Sequence, residues 1–195
     1  MKIDREFYLR EDVVQVAKEL LGKYLFTRIK GELTAGIITE TEAYEGVTDR
    51  ASHAFGGRRT GRTEVMYAGG GVAYVYLCYG VHSLFNIVTN KKEIPHAVLI
   101  RGILPVEGLD IMKIRTMRPV LEKGAGSGPG KVSKLLGIHY SHTGTDLLGD
   151  KIWLEDRGII TGNDIIAGTR IGVGYAGEDA LLPYRFRILL ESPGK

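Results

Sequence analysis

Val72-Ala-Tyr-Val-Tyr-Leu-Cys-Tyr79-Gly80-Val-His82-Ser83-Leu-Phe-Asn86-Ile-Val-Thr89 is the stretch that decides the fold. Two runs rich in β-branched and aromatic residues, Val72 to Tyr79 and Ser83 to Thr89, meet at Tyr79-Gly80, which predicts a β-hairpin. Ala97 to Leu104 follows the polar turn Asn90-Lys91-Lys92-Glu93 and extends the hairpin into a meander. Upstream, Tyr24 to Ile29 and Gly36 to Tyr44 flank the turn-like Lys30-Gly31-Glu32 and read as a second hairpin. Before it, Val13, Val16, Ala17, Leu20 and Leu21 recur at three and four, the spacing of one helical face, within Glu11 to Leu21, and Gly22 stands where such a helix would stop. Downstream, Pro105 is expected to open a helix through Ile111 and Ile114. Gly124 to Gly130 is a glycine-rich loop, and Pro129 starts a short helix carrying Val132, Leu135 and Leu136 that Gly137 ends. The tail returns to strand-like pieces at Lys151 to Glu155, Thr169 to Gly174 and Tyr184 to Leu190. Strands are grouped rather than alternating with helices. The expected class is therefore α+β: one domain over residues 1–195, with a curved, mostly antiparallel sheet, flanking helices and a protruding hairpin.

Composition fits that reading. With 44% hydrophobic and 25% charged residues in 195, the chain can bury a sizeable core and is not a disordered polymer. A lone Cys78 leaves no disulfide framework and no CxxC zinc or redox motif, which points to a reducing compartment; a cytoplasmic location is expected, nucleoid-associated in a bacterium. The N-terminal Met-Lys-Ile-Asp-Arg-Glu places charges where a signal peptide needs an apolar stretch, and the longest apolar run, near Gly71 to Val81, is far short of the roughly 18 residues of a membrane span. A net charge of +3 does not by itself imply a polyanionic partner. Its clustering is more informative: Arg50, Arg58, Arg59 and Arg62 fall in one glycine-rich, weakly apolar stretch, a candidate phosphate-facing loop whose bland alternative is an ordinary solvated loop.

Several motifs mislead. Gly172-Val-Gly174-Tyr-Ala-Gly177 matches GxGxxG, but Pro183 interrupts the helix and second strand that a dinucleotide fold requires, so the glycines are read as permitting a tight turn. Lys131 after the Gly124 loop is followed by Val132, where a P-loop needs Ser or Thr. His139 and His142 gain no third ligand from the sequence and are read as surface histidines; no metal site is expected. No GxSxG elbow exists, and Cys78 inside an apolar run is read as a buried, inert thiol.

Two segments carry more than packing requires. In Glu40-Thr-Glu42-Ala-Tyr44, strand alternation puts both carboxylates and the tyrosine on one face, the alternative being a solvated outer face. In Tyr74-Val-Tyr76-Leu-Cys-Tyr79-Gly80, Tyr74 and Tyr76 share a face, while Tyr79 sits at a turn with little to pack against. An exposed tyrosine on a hairpin tip, a basic loop and an aromatic pocket with a carboxylate are what a base-flipping enzyme needs: a plug for the stack, phosphate contacts, faces for the extruded base and a group to orient water. A non-catalytic nucleic-acid-binding module could use the same arginines and tyrosines as a stacking platform, and a small-molecule hydrolase could use Glu40 and Glu42.

The sequence also resembles the alkyladenine (3-methyladenine) DNA glycosylases from about Leu20 to Leu189. The resemblance is carried by Glu40-Thr-Glu-Ala-Tyr44, His53 with Gly56-Gly-Arg58, Tyr74 to Gly80 with Asn86, Val98-Leu-Ile-Arg101 with Glu107-Gly108, Ser127-Gly-Pro129 with Lys131, and Arg170 to Glu178. It implies a hairpin inserted into the DNA minor groove and hydrolysis, without lyase chemistry, of the N-glycosidic bond of alkylated purines. It also implies double-stranded DNA as partner, a monomer, and no metal or organic cofactor. By position, Glu42 resembles the general base that activates water and Arg101 its partner in positioning that water. Tyr44, His53 and Tyr76 resemble the walls of the base pocket, Asn86 the residue that collides with the amino group of a normal guanine, and Tyr79 the intercalating residue. Arg58, Arg62 and Lys131 are the expected phosphate contacts.

Overall fold

Two short helices open the chain in the computed structural model, which describes residues 1–158 and 165–189. They are α1 (Arg5–Tyr8) and α2 (Val13–Glu19), capped by Asp4 and Asp12, whose carboxylates accept from the N–H groups of Phe7 and Gln15. α2 is shorter than its periodicity suggests, because Leu20 is its C-cap, the Leu21 N–H bonds back to Lys18 in a tighter turn, and Gly22, at φ +78°, donates to the carbonyl of Ile38; Leu20 and Leu21 remain buried. Two antiparallel strands follow, β1 (Tyr24–Ile29) and β2 (Glu32–Tyr44). After a long loop come β3 (Val72–Cys78), β4 (His82–Thr89) and β5 (His96–Glu107), the predicted meander. Then come α3 (Leu109–Thr116), α4 (Pro129–Leu136), β6 (Ile152–Glu155), β7 (Ile166–Gly168) and β8 (Arg185–Arg187).

The sheet runs β3-β4-β5-β2-β1-β6, antiparallel throughout. β2 is long enough to carry two partners on one edge: β1 along its first half and β8 opposite Glu40–Glu42, with β7 beyond β8. Register shifts beside Gly36 and around Glu40 bulge the strand, and bulges sharpen twist and bend. Glycine is needed at this bend, since a Cβ on Gly102 would lie 2.9 Å from Thr39 Oγ1 and one on Gly36 2.7 Å from Ile103 Cδ1.

Register also divides the faces. Tyr74, Asn86, Leu99 and Glu42 are direct partners across β3, β4, β5 and β2, so their side chains project to one side. Ala73, Ile87, Val98 and Ala43, one residue away on each strand, project to the other side. There they join the main core with α2 (Val16, Ala17), α3 (Met112) and α4 (Val132, Leu135, Leu136). One face of the sheet is thus sealed by helices, and the opposite face combines Glu42 and Asn86 with a smaller apolar cluster in which Ala54, Met66 and Tyr67 cover Tyr74, Val88 and Ala97.

Three expectations need correction. Pro105 does not open a helix: it lies in β5 opposite Gly36, at a register shift where its missing N–H costs little ladder bonding. The helix begins only after Gly108, whose φ of +70° makes the turn. Thr169 to Gly174 is not a strand. β7 stops at Gly168 because Arg170 turns inward; Gly172 at φ +78° precedes the 3-10 segment Gly174–Leu181, and Gly177 at φ +61° and ψ −127° kinks that segment, so these glycines serve the tight-turn role expected of them. The last strand is only Arg185–Arg187, and Leu190 lies outside the described residues.

Candidate active site

Glu42 is completely buried on the sheet face opposite the helices, where a lone carboxylate would be costly. Its partners come from three directions. The Tyr44 hydroxyl donates to Oε2 at 2.8 Å, the backbone N–H of Ile171 donates to Oε1 at 2.8 Å, and Arg101 approaches from β5 with Nη1 at 3.5 Å and Nε at 3.4 Å. Arg101 Nε is also 3.4 Å from Glu40, which Arg185 holds from β8 at 3.1 Å, and this buried Nε makes no hydrogen bond. Burial pushes the Glu42 carboxyl above its ordinary value and Glu40 adds to this, against the downward pull of Arg101, the Ile171 N–H and Tyr44. Tyr44 is itself raised far out of the physiological range, by burial and by Glu42, so its phenol stays protonated and donates.

The aromatic side of the site adjoins this carboxylate through Tyr44. His53 stands edge-on to Tyr76, with ring centroids 4.7 Å apart, and its Nδ1 lies 2.8 Å from the Tyr74 hydroxyl. Tyr74 and Tyr76 lie 5.4 Å apart at 35°. Desolvation, with Arg62 and Arg58 nearby, pushes His53 down to about 4, so the ring is neutral at physiological pH. Arg62, which only donates, faces Nε2 at 3.5 Å. Asn86, buried between Tyr74 and Leu99, donates through Nδ2 to the carbonyls of Tyr74 at 3.1 Å and Leu84 at 3.3 Å.

At the hairpin tip Tyr79 and Gly80 have φ of 51° and 70°, a tight two-residue turn closed by the Val81 N–H on the Cys78 carbonyl at 3.1 Å. Tyr79 is 94% exposed, flanked by exposed Leu77 and Val81. Cys78 is partly exposed rather than buried, because the hairpin here has left the body of the protein.

The basic loop is not uniform. Arg59 is committed to Glu64 and Glu93 in ion pairs of 2.7 and 2.6 Å, which removes it from the expected phosphate cluster. Arg62 lies over the Tyr76 ring at 4.6 Å, while Arg58 makes no ion pair among the described residues. Lys131 is exposed in the first turn of α4, whose entry is tied to the site by the Gly128 N–H on the Arg101 carbonyl at 2.8 Å. His139 and His142 cap their own short turn, and among the described residues no group of three or more His, Cys, Asp or Glu is placed to hold a metal.

Sequence reasoning missed the segment that follows β7. Arg170 is buried and grips Asp49 with two nitrogens while also donating to the carbonyls of Ala43 and Asp179, each at 2.9 Å. Asp49 and Arg170 are separated by 121 residues, and no spacing rule links them. The resemblance covers Arg170 to Glu178 but attaches no role to this arginine or to the Ile171 N–H.

A family model described as methylpurine-DNA glycosylase (MPG) aligns with residues 6–191. The chain belongs to the methylpurine-DNA glycosylase family. It is 44% identical over 191 residues to a protein of Chlamydia abortus named "Putative 3-methyladenine DNA glycosylase", covering 97% of this chain and 100% of that one. Proteins of the same printed name from Desulfitobacterium hafniense and Clostridium acetobutylicum are 41% and 40% identical, with 95% and 96% of this chain covered and 94% of each relative. As a member of this glycosylase family the protein is a hydrolase of DNA repair, with DNA as its substrate. Among the described residues no helix is long and apolar enough to cross a membrane.

Proposed function

We propose that this glycosylase hydrolyses the N-glycosidic bond of alkylated purines, 3-methyladenine and 7-methylguanine among them and extending to hypoxanthine, after rotating the nucleotide out of the duplex. The observation that carries the reading is the buried Glu42 carboxylate, held by Arg101, Tyr44 and the Ile171 N–H beside the aromatic wall of His53, Tyr74 and Tyr76. Glu42 takes a proton from water that Arg101 helps to hold, and the water oxygen bonds to the anomeric carbon as the carbon–nitrogen bond breaks. The bonding electrons leave with the purine: a cationic alkylpurine departs neutral and the proton on Glu42 passes to solvent, whereas a neutral base such as hypoxanthine takes up a proton as it leaves. N3- or N7-alkylation makes the base cationic, which weakens that bond and strengthens contact with tyrosine faces by about 0.5–2 kcal/mol. A neutral His53 does not repel such a cation. Arg62 lies over one face of Tyr76, and a base stacking on that face would displace it. Tyr79 fills the gap left by the rotated nucleotide, and Asn86 rejects an unmodified guanine through its 2-amino group.

Incubation with methylated duplex DNA tests this reading. Free alkylpurine and an intact abasic strand are expected. Binding without base release would favour a module that only holds DNA, and strand cleavage without added base would refute the hydrolytic assignment.

A further inference from the structure

We propose that the buried Arg170–Asp49 pair is the positioning device of the active site, holding the Ile171 N–H in place as a donor to the Glu42 carboxylate. The inference rests on Glu42 as general base. Ile171 is itself exposed and sits between a residue that has just left β7 and a glycine at φ +78°, so its own side chain does not fix the direction of its N–H. The neighbouring Arg170 does. Its guanidinium donates to Asp49, Ala43 and Asp179, and it lies 4.9 Å from the Tyr44 ring centroid and 5.4 Å from that of Tyr184. Asp49 is in turn fixed by the N–H groups of Glu45 at 3.2 Å and Ala51 at 2.9 Å. One arginine thus ties the loop after β2, the end of β2 and the segment after β7 into a single corner. Two of the three donors on Glu42 belong to residues next to it: Ile171 follows Arg170 in the chain, and the Tyr44 ring packs against the guanidinium.

The charged and titratable groups around Glu42 are Tyr44 and Glu40 from β2, Arg101 from β5, Arg185 from β8 through Glu40, and Arg170 and Tyr175 from the segment after β7. An N–H donor stabilises the ionised form of a carboxyl, so displacing Ile171 raises the pH at which Glu42 gives up its proton. A base must be ionised to act. The acid limb of the rate profile therefore moves to higher pH, by about one unit for one lost N–H bond, while the plateau above it is kept.

The test uses Asp49→Asn, Arg170→Lys and the double variant Asp49→Leu/Arg170→Met. The double variant removes both charges together and so leaves no buried charge unpaired. Single-turnover excision against pH, affinity for undamaged duplex, and carboxyl-carbon NMR titration of Glu42 are measured on the full chain. Expected are a midpoint raised by about one unit in both readouts, a high-pH rate within several-fold of the unsubstituted protein, and unchanged DNA affinity. An unmoved Glu42 titration, or a rate loss equal at all pH values, overturns the proposal. If Glu42→Gln excises normally, the general-base reading fails, yet the NMR titration still decides whether the pair positions Ile171.

Discussion

Glu42 shows how one residue combines a cost and a function. Its carboxyl is raised by burial, so the folded state holds its proton to higher pH than the unfolded chain does, and stability declines as pH climbs between those two values. The compensating gain is basicity in a dry site. Glu42→Gln is expected to lower excision by roughly 10² to 10⁴-fold with duplex affinity retained, measured by single-turnover release of base and by titration binding. For the unsubstituted protein the rate should fall on the acid side with a midpoint above that of an ordinary glutamate, because only the ionised form accepts a proton. His53, already neutral above about 4, should add no second limb in that range. Asn86 offers a different residue-scale test. Asn86→Ser is expected to raise release of 7-methylguanine relative to hypoxanthine, and an unchanged ratio with uniformly lower rates would reduce Asn86 to the backbone bonds it makes with Tyr74 and Leu84.

At the scale of the element, the β3–β4 hairpin is a tool mounted on a sheet. Its base is fully buried at Val75 and Phe85, and its tip is exposed. Tyr79→Ala should therefore leave the melting temperature nearly unchanged while lowering excision, most at firmly paired lesions and least at mispaired ones, where less work is needed to extrude the base. Equal losses on both would remove the plug role. The β5–α3 junction makes a stability prediction. Gly108 has φ +70°, and a Cβ there would lie 2.3 Å from the Leu33 carbonyl oxygen. Gly108→Ala should cost about 2 to 4 kcal/mol, from left-handed strain of about 1 and overpacking of about 1 to 3, and lower the midpoint of thermal unfolding by roughly 10 °C.

Over the whole molecule, charge is arranged rather than abundant. The net value is only +3, but Arg58, Arg62 and Lys131 are exposed residues of the loop and helix tied to the site, whereas Arg59 is neutralised by Glu64 and Glu93. Affinity for undamaged duplex should fall steeply with salt. Arg58→Ala should make the slope of log affinity against log salt shallower by about one, and Arg59→Ala should leave it nearly unaltered while loosening the loop. A salt-independent affinity would count against phosphate contact by this face.

Elements whose signals are local were legible in the amino-acid order. Alternating β-branched and aromatic runs specified the meander. The three-and-four spacing of Val13, Val16 and Ala17 specified α2, and Gly137 ended α4 as expected. The amino-acid order also placed Glu40, Glu42 and Tyr44 on one face, since alternation needs no partner. Pro105 misled because a proline that opens a helix and a proline at a strand bulge look alike until the register with Gly36 is known. Tertiary structure alone decided which face of the sheet is sealed, that Arg59 is spent on ion pairs, and that Glu42 is buried among donors from β2, β5 and the segment after β7. The physical reason is range. Strand and helix patterns are fixed by neighbours a few residues apart, whereas the Arg170–Asp49 pair and the Ile171 N–H on Glu42 join groups 121 and 129 residues apart that meet only after the chain has folded.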